Sequence, residues 1–260
     1  SRLKRIKLTV AYDGTNYHGW QVQPNAVTIE GKLNEAISEL TKESIQVIGA
    51  SRTDAGVHAL GNVAVFDTES RIPGEKFSYA LNQRLPDDIV IQQSQEVDKD
   101  FHPRYCTCEK TYEYVILNRK FPLPEYRNTA FFYYGDLDIK AMQEATKAFL
   151  GEHDFAGFCS AGAQVKTTVR TIYELTVEKK DNDMICIRVR GNGFLYNMVR
   201  IIAGTLLEVG KGNIEAKSLE NRIAAADRSQ AGPTAPARGL KLIRIQYISD
   251  PASCTQEADR

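Results

Sequence analysis

Seven consecutive residues, Arg52-Thr53-Asp54-Ala55-Gly56-Val57-His58, place a carboxylate between a guanidinium and an imidazole, beside a glycine. If the segment is extended, Arg52 and Asp54 project to the same side, where the cation can keep the carboxylate ionised or bind a phosphate. Gly56 permits a backbone turn that a larger residue would resist, and His58 adds a second polar group. A carboxylate next to a glycine is ordinarily just an Asx-turn residue, so this spacing allows a site without requiring one.

Other motifs that could carry chemistry are incomplete. Gly14 and Gly19 have the spacing of a phosphate loop's glycines, but Trp20-Gln21 follows where Lys-Ser/Thr is required. Gly191-x-Gly193 lacks the third glycine of a dinucleotide site and opens no βαβ unit. Cys106-x-Cys108 is too tightly spaced for a structural zinc pair. The sequence predicts no metal and no cofactor.

The elements that would position Asp54 follow from periodicity. Residues 4–12 alternate, with Ile6, Leu8, Val10 and Tyr12 on one face, which predicts a half-buried strand. Ile29, Leu33, Ala36, Ile37 and Leu40 follow a helical spacing. Strand patterns at 44–50 and 61–67 make 52–59 the connection between them, a loop held by a sheet. The second half repeats the order: a strand around 112–117, a loop rich in proline and aromatics, a helix at 139–149 with Asp138 as N-cap, and strands at 171–179 and 184–190. A further helix at 195–209 has Met198, Ile201, Ile202, Thr205, Leu206 and Val209 as its buried stripe, with Arg200 and Gly204 off that stripe. An amphipathic helix at 215–228 and a last strand at 239–247 complete the pattern. The class expected is α+β: two pseudo-symmetric lobes, 1–104 and 105–248, with a mixed, mostly antiparallel sheet flanked by helices and a cleft between lobes, then a polar, disordered tail at 249–260.

Composition fits a soluble globular protein, 42% hydrophobic and 25% charged in 260 residues. Thirty-three basic and 33 acidic side chains cancel, so any nucleic acid must meet a local basic surface or one assembled from two subunits. Five scattered cysteines suggest no disulfide framework and a reducing cytoplasm. No apolar run approaches the roughly 20 residues of a membrane-spanning helix, and the first residues lack an apolar secretory core; neither export nor a membrane anchor is expected.

The run from Arg52 through Ala59 closely resembles the signature of the TruA family of tRNA pseudouridine synthases. Further segments match in order: Tyr12-Asp13-Gly14-Thr15 with Gly19-Trp20-Gln21; Ala80-Leu81-Asn82 with Leu85-Pro86-Asp87-Asp88-Ile89; Phe101-His102-Pro103-Arg104 with Lys110-Thr111-Tyr112-Glu113-Tyr114; 193–200; and 234–240. The likeness covers about residues 4–248 and departs from the family's common pattern at Glu30, where glutamine is frequent, and at Lys110, where arginine is.

The resemblance implies the pseudouridine synthase fold and isomerisation of uridine within tRNA, at positions 38, 39 and 40 of the anticodon stem-loop, by a cytoplasmic homodimer that holds one tRNA across both subunits. It implies Asp54 as nucleophile, Tyr112 as the tyrosine against the target base, Arg200 as the arginine paired with the aspartate, and Leu240 as a pocket residue. Attack at C1′, attack at C6 and assistance of a glycal route all remain open. RNA contact is expected from Arg52, His58, Arg104, Lys110, Arg188 and Arg190, the last two sharing one face of a strand. A non-catalytic RNA-binding or RNA-folding module on the same scaffold is the alternative. An aspartate-nucleophile hydrolase lacks a second carboxylate placed as general acid.

Overall fold

The computed structural model describes residues 2–248, so the expected tail at 249–260 lies outside the described residues. These residues form two compact units, 2–107 with 242–248, and 108–241. Both combine strands and helices, as expected for an α+β protein.

The first unit is built on β1 (Lys4–Tyr12), whose alternate residues Ile6, Leu8, Val10 and Tyr12 are all buried. It runs antiparallel to β3 (His58–Thr68) on one side and β4 (Ile89–Val97) on the other. β2 (Ile48–Gly49) adds to β3, as does β10 (Leu240–Tyr247), whose residues from 242 onward belong to this unit. Helix α1 (Ile29–Thr41) starts where the Thr28 hydroxyl accepts from Gly31 N–H and ends at Lys42 in the left-handed conformation. It buries Ile29, Leu33, Ala36 and Ile37. Glu30 in its first turn accepts a hydrogen bond from Val22 N–H, a contact a glutamine carbonyl would make equally. A short α2 (Phe77–Asn82) sets Phe77 edge-on to Phe66 of β3.

The strand expected at 44–50 shrinks to the two residues of β2. Ile45 and Val47 are buried, but their N–H groups bond to Ser38 Oγ and Asn34 Oδ1 of α1 rather than to a ladder. An apolar alternation cannot tell these two ways of satisfying the backbone apart.

In the second unit β5 (Cys108–Asn118), β9 (Met184–Gly191), β8 (Val169–Lys179) and β7 (Gly151–Asp154) are antiparallel neighbours in that order. β6 (Phe131–Tyr133) pairs with β5 in parallel, which makes the sheet mixed. Asp138 caps α3 (Ile139–Thr146) by accepting from Ala141 N–H. The helix expected at 215–228 is only α5 (Leu219–Ala224) between single turns, because Ala226 takes a left-handed φ of 50° and Asp227 caps the next turn.

Helix α4 (Met198–Gly210) is more deeply buried than its expected stripe. Val199, Ala203, Gly204 and Leu207 are buried as well, which marks a core helix rather than an amphipathic surface one. The second face is covered by residues 232–235: Gly232 N–H donates to Thr205 Oγ1, and a Cβ on Gly204 would stand 1.7 Å from Pro233 O. Gly204→Ala should therefore destabilise the protein by about 3 kcal/mol or more, although alanine is the better helix former. Urea unfolding checks this; an unchanged or raised midpoint would mean that residues 232–235 do not press on α4.

Candidate active site

Asp54 sits in the loop between β2 and β3, and its neighbours fix that loop from below. Ser51, Thr53 and Val57 are buried, Arg52 and Ala55 exposed, and Asp54 half-buried, so inward and outward side chains alternate. Gly56 takes a φ of 82° in a turn closed by Val57 N–H to Asp54 O, 3.0 Å. Ala50 N–H bonds to Val63 O at the loop's entry.

Two side chains and one backbone N–H fasten the middle. Asn62, 0% exposed on β3, donates from Nδ2 to Ser51 O at 2.9 Å and to the Tyr12 hydroxyl at 3.2 Å. The Tyr12 hydroxyl lies 2.6 Å from Thr53 Oγ1. Trp20 N–H donates to Thr53 O at 3.0 Å, and the indole is buried. Ser51 and Thr53 are thus tied to β3, to β1 and to the segment around Trp20, up to one position before the carboxylate. Sequence reading found Tyr12 and Trp20 only as motif members and missed Asn62. The available signal was an asparagine interrupting an apolar strand, which must find partners if buried.

His58, expected to meet substrate, is 3% exposed and supports the loop instead. Its Nδ1 accepts from Gly14 N–H at 3.0 Å and lies 3.2 Å from Asp13 Oδ1. Burial pushes the Asp13 carboxyl up, but hydrogen bonds from the Thr15 hydroxyl and N–H outweigh it and hold it below its ordinary range. Arg52 forms no ion pair among the described residues, and its exposure leaves it open to a phosphate.

Arg104, also in the first unit, lies over the Tyr105 ring at 5.8 Å, and among the described residues it has no carboxylate partner and its buried Nε no hydrogen-bond partner. His102 stacks on Tyr105 with ring centres 3.9 Å apart and accepts from Arg104 N–H. Burial first, then the Arg104 and Arg5 charges, lower its pKa.

In the second unit Tyr112 is 8% exposed on β5 and meets Phe194 edge-on at 5.3 Å. Arg200 is held by α4 and by the chain crossing it. Its Nε donates to Ala235 O at 2.8 Å, its Nη1 to Asn197 Oδ1 at 3.3 Å, and its own carbonyl accepts from Ala235 N–H. Asn197, in the left-handed conformation just before α4, also donates to Ser160 Oγ. The guanidinium is therefore oriented by two separate segments. Nearby in sequence, Tyr114 donates its hydroxyl to Pro236 O, and burial raises its pKa. Leu240 is buried at the start of β10.

The remaining cations fare differently from expectation. Lys110 is buried on β5. Arg188 lies 2.5 Å from Glu113 Oε2 and Arg190 3.0 Å from Glu109 Oε2, with Glu174 3.7 Å from Arg188. Cross-strand register brings these charges together, Arg188 directly opposite Glu113. A phosphate would have to compete with those carboxylates. The described residues contain no group of three or more metal-ligating side chains, and no helix long and apolar enough to cross a membrane. Cys108, Cys159 and Cys186 are free thiols.

Comparison with known proteins adds a family. A family model described as tRNA pseudouridine synthase matches residues 8–106 and 145–248. The tRNA pseudouridine synthase A of Acetivibrio thermocellus is 52% identical over 245 residues, covering 94% of this chain and 100% of the relative. That of Ruminiclostridium cellulolyticum is 51% identical with the same coverage, and that of a Thermoanaerobacter species 49%. Among solved structures, an archaeal box H/ACA sRNP Nop10-Cbf5 complex gives a TM-score of 0.36 at 11% identity over 87% of this chain and 60% of that one, too low to carry an argument.

Asn62→Ala should strand Ser51 O and the Tyr12 hydroxyl without their donor, costing about 2 kcal/mol of stability. Because Trp20 is the sole tryptophan and bonds to the same loop, its emission should shift to longer wavelength at the same time. Wild-type stability and an unmoved emission maximum would show that the loop does not depend on Asn62.

Proposed function

The chain belongs to the tRNA pseudouridine synthase family, and from that premise we propose that Asp54 is the nucleophile with which it isomerises uridine in tRNA, at positions 38, 39 and 40 of the anticodon stem-loop. The observation that carries this reading is the fastening of residues 51–57: of the carboxylates in the signature segments, Asp54 is the one that directly follows a buried, hydrogen-bonded residue on a loop tied from three directions. A nucleophile acts through a narrow approach to one atom, and a loop held this way lowers the entropy cost of aiming it.

Isomerisation breaks the bond from N1 to C1′, turns the base and joins C5 to C1′. The hydrogen on C5 departs and N1 gains one, so the atoms balance without a second substrate. Tyr112 is proposed to lie against the target base and to serve as the base that takes the C5 proton, a role supported by its fixed edge contact with Phe194. Arg200 is proposed as the cation serving the Asp54 carboxylate, supported by its two orienting hydrogen bonds. Leu240 is assigned to the apolar lining of the base pocket.

Arg52 and Arg104, neither of which has a carboxylate partner among the described residues, are proposed as phosphate contacts, with Lys110 as a weaker candidate because it is buried. The target base must leave its stack before its glycosidic bond can be reached, at a cost of a few kcal/mol. A homodimer in the cytoplasm is the proposed working form. Two copies would let a neutral chain assemble a basic groove.

Incubation with tRNA labelled with tritium at uridine C5 tests the reading. Wild-type protein should release the label, and Arg200→Ala and Tyr112→Phe should each slow release at saturating tRNA by about a hundredfold or more. Protein that binds tRNA yet leaves the label in place would turn the reading to a non-catalytic RNA module. Undiminished release by Arg200→Ala would remove that residue from the site.

A further inference from the structure

Between β5 and α3 the second unit carries a surface that the proposed chemistry does not use. Residues 121–134 include Phe121, Tyr126, Phe131, Phe132, Tyr133 and Tyr134, six aromatics in a chain where aromatics make up only 9%. A core would hide them, yet Tyr134 is 74% exposed and Phe121 66%. Both project from neighbouring backbone. Asn118 Nδ2 donates to Tyr133 O at 2.9 Å and to Gly135 O at 2.7 Å, while Arg119 Nη1 donates to Phe121 O at 3.0 Å.

Cations stand over these rings. Lys120 Nζ is 5.7 Å from the Phe121 ring centre, Lys211 Nζ 4.8 Å from that of Tyr133, and the Arg238 guanidinium 5.6 Å from that of Phe131. Arg119 and Lys211 have carboxylate partners, Asp183 and Glu208. Lys120, Arg127 and Arg238 have none among the described residues, unlike Arg188 and Arg190 on the sheet. Residues 119–134 hold three cations and one carboxylate, Glu125, so the patch is locally basic in a neutral chain.

Exposed rings interleaved with unpaired cations suit single-stranded or looped RNA, whose bases stack on aromatic faces while its phosphates meet lysine and arginine. A second copy of the chain suits the patch less well. In a twofold contact the same surface meets itself, so a basic face would meet a basic face, and lysine is depleted at the centre of protein interfaces.

We propose that Phe121 and Tyr134, with Lys120 and Arg127, form an RNA-gripping surface for the tRNA substrate outside the residues assigned to the chemistry, stacking unpaired bases and neutralising their phosphates. It rests on tRNA being the substrate and is independent of which residue is the nucleophile.

The test is tRNA binding by fluorescence anisotropy with the full chain over a range of salt concentrations. The double variant Phe121→Ala/Tyr134→Ala should weaken binding about tenfold or more with its salt dependence retained. Lys120→Ala/Arg127→Ala should also flatten the slope of log K against log salt by about 1.4, the value for two lost contacts to single-stranded phosphate. Turnover at saturating tRNA should stay at the wild-type level in both. Wild-type affinity and slope in both variants would overturn the proposal. So would a change of sedimentation from dimer to monomer in the aromatic variant, which would assign the face to a second copy. An active Asp54→Asn alongside weakened binding in these variants would fault the catalytic reading and leave this surface standing.

Discussion

Everything proposed for Asp54 depends on how the residues before it are tied down. The buried Asn62 amide holds Ser51 O and the Tyr12 hydroxyl, which in turn lies against Thr53, while Trp20 N–H holds the Thr53 carbonyl. Each contact alone is an ordinary hydrogen bond. Together they join β1, β3 and the opening loop at one point, and a buried polar cluster of this kind tolerates little displacement because an orphaned member is costly. His58 and Gly14 repeat the device on the far side of the turn. The carboxylate is left half-buried in a segment whose buried and exposed side chains alternate.

Much of this frame was legible in the sequence because it follows from periodicity. β1, α1, β5, β8, β9 and β10 appear where alternation or helical spacing put them, and Asp138 caps α3 as its position implied. Failures came where one pattern permits two satisfactions of the backbone. Residues 44–47 alternate like a strand but lean on α1 side chains, and α4 is buried on faces that its stripe did not include because residues 232–235 cover them. At the site, the motif residues were readable and the network supporting them was not. Asn62 lies outside every segment that the resemblance drew on, and its importance comes from partners 50 and 11 positions away in the chain.

Charge is the second constraint. With 33 cations and 33 anions, affinity for RNA depends on which cations are left unpaired rather than on their number. Sequence reading could place Arg188 and Arg190 on one strand face but not Glu109, Glu113 and Glu174 beside them on the neighbouring strands. Among the described residues Arg52, Arg104, Lys120 and Arg127 have no carboxylate partner, so a phosphate would meet them without displacing one.

The most direct test maps pseudouridine at single-nucleotide resolution in tRNA incubated with wild-type protein and with Asp54→Asn, a change that preserves shape and removes the charge. Conversion by the wild type at positions 38, 39 and 40 is expected, with none by the variant even though it still binds tRNA. Conversion by Asp54→Asn at the wild-type rate would contradict the assignment of Asp54 as the nucleophile.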